Sequence, residues 1–358
     1  MTYSPFRHIS SLFRKNSPVQ LTFFLTKRCN ARCSFCFYNA GRNTSGQQGT
    51  ELSLSEIETI SASMGKLLWL AFSGGEIFLR DDLDSITKVF YENNKPALIL
   101  LSTNGLLTDV IKEKVETILR VCRKSTIVVK LSLDGMEDIH DAIRGKGSFQ
   151  KTIKTCHTLG RLADIYPNLE LGINTVFCSA NQDRMDEIID YVRGMDHIKT
   201  HTVSLIRGEG LKDVDLEQYR STADTLANNL KNNKSSIYRF KGSRLKAAQD
   251  ILQRRLIYET ELRRKQLIPC YAGKLNLVLT ESGDLYPCES FSMKIGNVRN
   301  NAYDIIKLLE SRNAGTILKA IRDRTCFCSH ECYMMTNILF NIRMYPQLMR
   351  EYLQLGGS

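Results

Sequence analysis

Cys29, Cys33 and Cys36 form a tight C-x3-C-x2-C group. Cys270, Cys288, Cys326, Cys328 and Cys332 form a second set towards the C-terminus, while Cys122, Cys156 and Cys178 stand singly in apolar or helical surroundings and read as small core residues. Thiolates are the ligands of soft metal sites and of iron–sulfur clusters. A zinc site takes four ligands, and the fourth is missing beside the first group. Three thiolates suit a [4Fe–4S] cluster with one iron left open, and Phe35, Phe37 and Tyr38 in the same loop could shield it from water. Eleven cysteines, an odd number, argue against a disulfide framework. The start, Met1-Thr2-Tyr3-Ser4-Pro5, lacks a signal-peptide apolar core and points to the cytosol.

These residues need a scaffold to position them. The 358 residues suffice for two domains, or for one large domain with an appendage. The composition, 42% hydrophobic and 24% charged, excludes disordered, collagen-like and coiled-coil chains. No apolar run approaches the ~20 residues that span a bilayer. Strand-like runs at 20–25, 69–73, 97–102, 126–132, 169–177 and 200–205 alternate with amphipathic helices, which predicts βα units and a parallel sheet. The first strand ends in the cysteine loop, the second in Ser73-Gly74-Gly75-Glu76, the third in Ser102-Thr103-Asn104-Gly105 and the fourth in Ser132-Leu133-Asp134-Gly135. All four motifs fall at the C-terminal ends of parallel strands, where α/β barrels assemble their active sites. Gly74 and Gly75 would let the backbone approach a ligand closely.

With these motifs the chain resembles the radical S-adenosylmethionine (SAM) superfamily, whose hallmark is CxxxCxxC with an aromatic residue, here Phe35, before the last cysteine. The resemblance implies a partial (β/α)6 TIM-like barrel with a small C-terminal β-hairpin and helical auxiliary cluster domain. It assigns Gly74, Gly75 and Glu76 to the SAM amino group, and Ser102, Asn104, Ser132 and Asp134 to other contacts with SAM. Arg144, in His140-Asp141-Ala142-Ile143-Arg144-Gly145, matches an HDxxRG element and would suit the SAM carboxylate; His140 and Asp141 lie in the same expected loop. Gly172-Ile173-Asn174 is a weaker match to an adenine-side motif.

The second cysteine set begins as C-x12-G-x4-C around a turn at Thr280–Pro287, the opening of the auxiliary domain called SPASM, or twitch when truncated. The full pattern does not follow. Five cysteines cannot supply two clusters of four thiolates each, so one auxiliary [4Fe–4S] cluster is expected. Its expected ligands are Cys270, Cys288, Cys332 on the C-x3-C spacing, and either Cys326 or Cys328. Zinc on the same residues is the alternative. Glu289, next to Cys288, is a candidate general base.

The chain has 49 basic and 38 acidic residues, a net charge of +11. Residues 212–265 hold thirteen Lys/Arg against seven Asp/Glu over an apolar stripe, which reads as a packed basic cap facing solvent or an anionic partner. No RNA-binding module accompanies it, so nucleic acid is disfavoured. Phe6, Ile9, Leu12 and Phe13 among basic residues could form a short amphipathic helix that packs across the barrel bottom or touches a membrane surface. The expected organisation is a basic segment at 1–19, a barrel core at 20–211, a basic helical cap at 212–268, an auxiliary cluster domain at 269–335 and a helical tail at 336–358. The function implied is reductive cleavage of SAM and abstraction of a substrate hydrogen atom, with electrons from a flavodoxin or ferredoxin. Oxidation or bond formation on a small, sugar-like or anionic metabolite is the first expectation. Modification of a ribosomal peptide or protein side chain is the second, and a non-enzymatic zinc or cluster protein the third.

Overall fold

The computed structural model describes residues 2–38, 50–290 and 292–356. Six βα units alternate through the first two thirds of the chain: β1 (Gln20–Thr26), α1 (Leu54–Ala62), β2 (Trp69–Gly74), α2 (Leu83–Asn94), β3 (Leu98–Thr103), α3 (Thr108–Val121), β4 (Thr126–Ser132), α4 (Glu137–Arg144), α5 (Ser148–Ile165), β5 (Leu169–Phe177), α6 (Met185–Arg193) and β6 (Ile198–Leu205). Then follow α7 (Leu216–Lys231), α8 (Ser243–Arg263), the short strands β7 (Asn276–Leu279), β8 (Asp284–Tyr286) and β9 (Gly296–Asn297), and helices α9 (Ile305–Leu309), α10 (Arg312–Arg322), α11 (Glu331–Leu339) and α12 (Tyr345–Gln354).

The described strands form one sheet in the order β6-β5-β4-β3-β2-β1-β7-β8-β9. β1 to β6 run parallel, each beside its predecessor, and the sheet does not close between its two edges, so the barrel is partial. The hairpin bearing the second cysteine set does not stand apart. β7 pairs in parallel with β1, Gln20 opposite Asn276, and extends the barrel sheet.

Alternation along the strands separates two cores. Phe23, Leu25, Leu70, Phe72, Ile99, Leu101, Ile127 and Val129 point outward and pack with Ile57, Ile60, Ile86 and Phe90 of the helices. The intervening positions point inward. At the N-terminal ends of the strands Trp69, Leu98 and Val128 meet Tyr238 and Met335, which close the barrel interior from the α7–α8 connection and from α11. Tyr3 and Leu12 pack below, against Val19, Leu68 and Ala97. The N-terminal segment is thus a 3-10 turn across the barrel bottom, with Phe6, Ile9 and Phe13 exposed. No helix among the described residues is long and apolar enough to cross a membrane.

One element differs from expectation. The stretch His140–Arg144 is helical, as the last part of α4, because Gly145 at φ 113° ends the helix where a residue with a Cβ would be strained. Arg144 is therefore carried on a helix end, aimed back at the barrel.

Candidate functional site

A cavity of about 370 Å³ fills the barrel, lined from Gln20 and Trp69 at the strand starts to Gly74, Gly75 and Arg207 beyond the strand ends. Every second strand residue faces it: Thr22, Ala71, Ser102, Lys130, Asn174 and Thr202 among them. Cys29, Cys33 and Cys36 all line it, together with Gly74, Gly75, Asn104, Ser132 and Arg144.

The cysteine loop is held by its neighbours. Arg144 brings Nη1 to 3.4 Å from Cys33 Sγ, and its guanidinium lies 5.6 Å from the centre of the Phe35 ring. Asn104 donates to Asn30 Oδ1 at 2.7 Å and reaches within 3.9 Å of Cys29 Sγ. Burial pushes the Cys33 thiol above its ordinary range, with Arg144 opposing. Among the described residues no three His, Cys, Asp or Glu side chains gather around a point as they would around a single ion. Three thiols on one cavity wall, with cationic and amide donors at their sulfurs, fit the donor chemistry of an iron–sulfur cluster, which is larger than an ion and takes thiolates.

Glu76 and Asp134 were expected to touch the cofactor, but both sit behind the cavity wall. Glu76 is fully buried and accepts from Asn104 N at 2.8 Å, Thr103 Oγ1 at 2.9 Å and Phe78 N at 3.2 Å, tying the end of β2 to the end of β3. Asp134 is likewise buried; it pairs with Arg144 Nε and accepts from Val176 N at 2.8 Å. Their carboxylates satisfy backbone and guanidinium donors that the strand-end turns leave open, so they position the wall instead of forming it. His140, its ring nitrogen Nδ1 accepting from Asp134 N at 3.1 Å, buttresses the same turn; burial lowers it to about 4 and keeps it neutral, as that acceptor role requires.

The two glycines on the cavity wall also serve the cysteine loop. A Cβ on Gly75 would lie 2.1 Å from the Arg28 carbonyl oxygen, and one on Gly74 2.5 Å from that of Thr26. Gly75 N donates to Thr26 O at 2.7 Å and Glu76 N to Arg28 O at 2.8 Å. These glycines admit the backbone of the cysteine loop itself. Gly75→Ala is therefore expected to displace the loop around Cys29, destabilising the fold by roughly 1–3 kcal/mol. Thermal melts and the iron retained per chain after anaerobic reconstitution check this.

Glu76 also gives the stability a pH dependence. Burial raises it from 4.5 to about 7, against the three hydrogen bonds that favour the anion. The folded state then holds a proton that the unfolded state has released, so stability present below about 4.5 is lost as pH rises towards about 7. Melting temperatures of Glu76→Gln across that window should lack this decline, and an unchanged slope would refute the assignment.

The second cysteine set divides differently from expectation. Burial pushes the Cys288 thiol up, and the charges of Cys328, Cys270 and Cys326 push it further. Cys328 in turn feels Cys270 and Cys326. Cys332 lies elsewhere, on the cavity wall, where burial raises its thiol and its charged surroundings are Glu289, Arg207, Glu331 and Lys130. The sequence spacing favoured Cys332 with only one of Cys326 and Cys328. Cys332 is the second residue of α11 and lines the barrel cavity, whereas Cys270, Cys288, Cys326 and Cys328 do not line it.

Glu289 lines the cavity, but its carboxylate is already engaged by Arg207 and lies 3.5 Å from His330 Nδ1, so accepting a proton would require the Arg207 pair to open. Sequence reasoning missed Arg207, whose guanidinium also lies 4.8 Å from the centre of the Phe37 ring. It missed Lys130 as well, although a charge inside Thr-Ile-Val-Val-Lys-Leu-Ser, at the same parity as Ser132, was a usable signal. Lys130 reaches Thr202 on β6, and burial lowers its ammonium to about 8.

The sequence profile of the radical SAM superfamily matches residues 23–192. The antilisterial bacteriocin subtilosin biosynthesis protein AlbA of Bacillus subtilis is 27% identical over 302 residues, covering 81% of this chain and 59% of AlbA. The sporulation killing factor maturation protein SkfB of the same species is 24% identical, covering 51% of this chain and 42% of SkfB. The chain thus spans about 40 to 60% of the length of these relatives. Streptococcus suis SuiB bound to S-adenosylmethionine has the same fold, with a TM-score of 0.61 at 17% identity, covering 87% of this chain and 71% of SuiB.

Proposed function

We propose that the chain, whose residues 23–192 match the radical SAM superfamily, is a radical SAM enzyme that modifies a peptide. The observation that carries the enzymatic reading is the convergence of Cys29, Cys33, Cys36 and Arg144 on one cavity at the C-terminal face of the barrel. The relatives support a peptide over a small metabolite. AlbA and SkfB are named for the biosynthesis of a bacteriocin and the maturation of a killing factor, and SuiB has been seen with its precursor peptide SuiA.

Cys29, Cys33 and Cys36 would hold a [4Fe–4S] cluster, and the wall formed by Gly74, Gly75, Ser102, Asn104 and Ser132 would receive SAM. When bound, cluster and SAM supply one-electron cleavage of the sulfonium and, from it, hydrogen-atom abstraction at an unreactive C–H bond. The chain's own residues do the positioning. Asp134 fixes the Arg144 guanidinium, which presents a cation to the cavity for a carboxylate and screens the Cys33 thiolate. Phe35, under the Arg144 guanidinium, is half-buried and covers part of the cysteine loop, while Phe37, beside Arg207, stays exposed. Tyr238 and Met335 stop the floor of the barrel, leaving the strand-end mouth for substrate entry. Cys270, Cys288, Cys326 and Cys328 would hold a second [4Fe–4S] cluster.

Anaerobic reconstitution, reduction with dithionite and addition of SAM should yield 5′-deoxyadenosine. Candidate peptides deuterated at the reacting carbon should pass label into it. No 5′-deoxyadenosine, with zinc in place of iron, would refute the enzymatic reading; label from small metabolites but from no peptide would refute the substrate class.

A further inference from the structure

The basic stretch that sequence analysis placed on a solvent-facing cap turns part of its charge inward. Ser243, Lys246, Ala247, Asp250, Gln253 and Arg254 recur at helical spacing along α8 and all line the barrel cavity. Facing them across the cavity is Lys130 of β4. Its register partner on β5 is Gly172, and Gly172 is in turn opposite Thr200. The space a side chain at Gly172 would fill is taken by Thr200 Oγ1 and the Tyr238 hydroxyl, and Lys130 reaches Thr202 on β6.

The charges around this chamber do not cancel. Asp250 pairs with Lys246. Glu289 pairs with Arg207, and Glu331 shares that guanidinium at 3.8 Å. Arg144 pairs with Asp134 behind the wall. Lys130 and Arg254 are left with no carboxylate at ion-pair distance among the described residues. Arg254 is 7% exposed; its Nη2 makes a long 3.4 Å contact to the His201 carbonyl, and its Nη1 is buried with no hydrogen-bond partner. Asp250, paired with Lys246, offsets Lys130 only from a distance, and two buried cations without a carboxylate in contact cost stability that an arriving anion would recover.

We propose that the floor of this cavity is a recognition site for a substrate carboxylate, bound between the Lys130 ammonium and the Arg254 guanidinium. The proposal rests on reading the cavity as the substrate chamber of a peptide-modifying radical SAM enzyme. It narrows the substrate to a peptide that presents an aspartate or glutamate side chain, or a C-terminal carboxylate, into the barrel. Thr202 orients the ammonium, and the Lys246–Asp250 pair forms a neutral rim that lets the anion bind without meeting a free carboxylate.

The test is anaerobic calorimetry on the reconstituted holoenzyme with SAM. The probes are acetylated pentaglycine amides bearing glutamate or glutamine at the centre, acetylated tetraglycine with a free C-terminus, its amide, and glutarate. The glutamate peptide, the free-carboxylate peptide or both should bind about tenfold or more tightly than the neutral counterpart. The preference should weaken with salt and vanish in Lys130→Met and Arg254→Met, while Lys130→Arg retains most of it. Iron content and absorption near ~400 nm equal to the parent's will show that each variant is folded and loaded. Equal binding of charged and neutral peptides, or a preference that survives both methionine variants, overturns the proposal. Lys130-dependent binding of glutarate without binding of any peptide supports the anion site and overturns the peptide reading. Failure of the parent to form 5′-deoxyadenosine is scored separately and removes the radical SAM reading whatever the calorimetry shows.

Discussion

Replacing Cys33 by alanine should abolish 5′-deoxyadenosine formation and remove about four irons per chain, leaving the remainder on the second cysteine set. The expectation rests on the place of Cys33 in the fold: it lines the cavity between Cys29 and Cys36 and is the thiol that Arg144 approaches at 3.4 Å. Cys29→Ala and Cys36→Ala should behave alike, since a cluster that keeps one iron open for SAM has no spare protein ligand. Replacements in the second set provide the contrast. Cys270, Cys288, Cys326 and Cys328 are the proposed ligands, so alanine at any of them should lose the second cluster's iron. Cys332→Ala should retain all of the iron, because its charged surroundings are Glu289, Arg207, Glu331 and Lys130. Iron analysis and electron paramagnetic resonance of the reduced variants separate these outcomes. Iron loss in Cys332→Ala with retention in Cys326→Ala would restore the ligand set that the spacing suggested.

Asp134→Ala should be the most destabilising single substitution near the site, by about 3–5 kcal/mol. The carboxylate is wholly buried, and its removal strands the largely buried Arg144 guanidinium and leaves Val176 N without its acceptor. Denaturant melts of the metal-free protein isolate this effect from cluster binding. The double variant Asp134→Ala, Arg144→Met should recover much of the stability, since it deletes the charge along with its counter-ion. It should not recover SAM binding, because the cation beside Cys33 is gone as well. Stability restored together with SAM affinity would show that the pair serves the fold alone.

Much of this architecture is written locally in the chain. The strands are runs such as Gln20–Thr26 and Thr126–Ser132, whose alternation serves an outer and an inner core at once, and whose parallel pairing follows from the helices between them. The triplet of thiols is contiguous, so its chemistry needs no tertiary information. What spacing could not convey is direction and depth. Glu76 and Ser102 both stand at strand ends, yet one is buried behind the wall and the other lines it. Cys328 and Cys332 stand close in sequence, but a helix starts between them and sends the second thiol towards the barrel. Gly74 and Gly75 read as a ligand cradle, and the structure adds that they accommodate the chain's own carbonyls. Lys130 and Arg254 are far apart in sequence and meet across the cavity only once α8 has packed over the barrel.

The pairing of β1 with β7 has a consequence for how the chain reaches this state. β1 is buried along its whole length, yet the neighbour that covers its outer edge begins only at residue 276. While the intervening segment is being synthesised, Leu21–Leu25 forms an apolar strand with unsatisfied amide groups along one side, the kind of edge that recruits other chains. The closure is also highly non-local, which slows folding. Truncation before β7 should therefore yield an aggregating barrel, not a soluble half-enzyme. The hairpin between Cys270 and Cys288 would then act as the last piece to complete the barrel sheet.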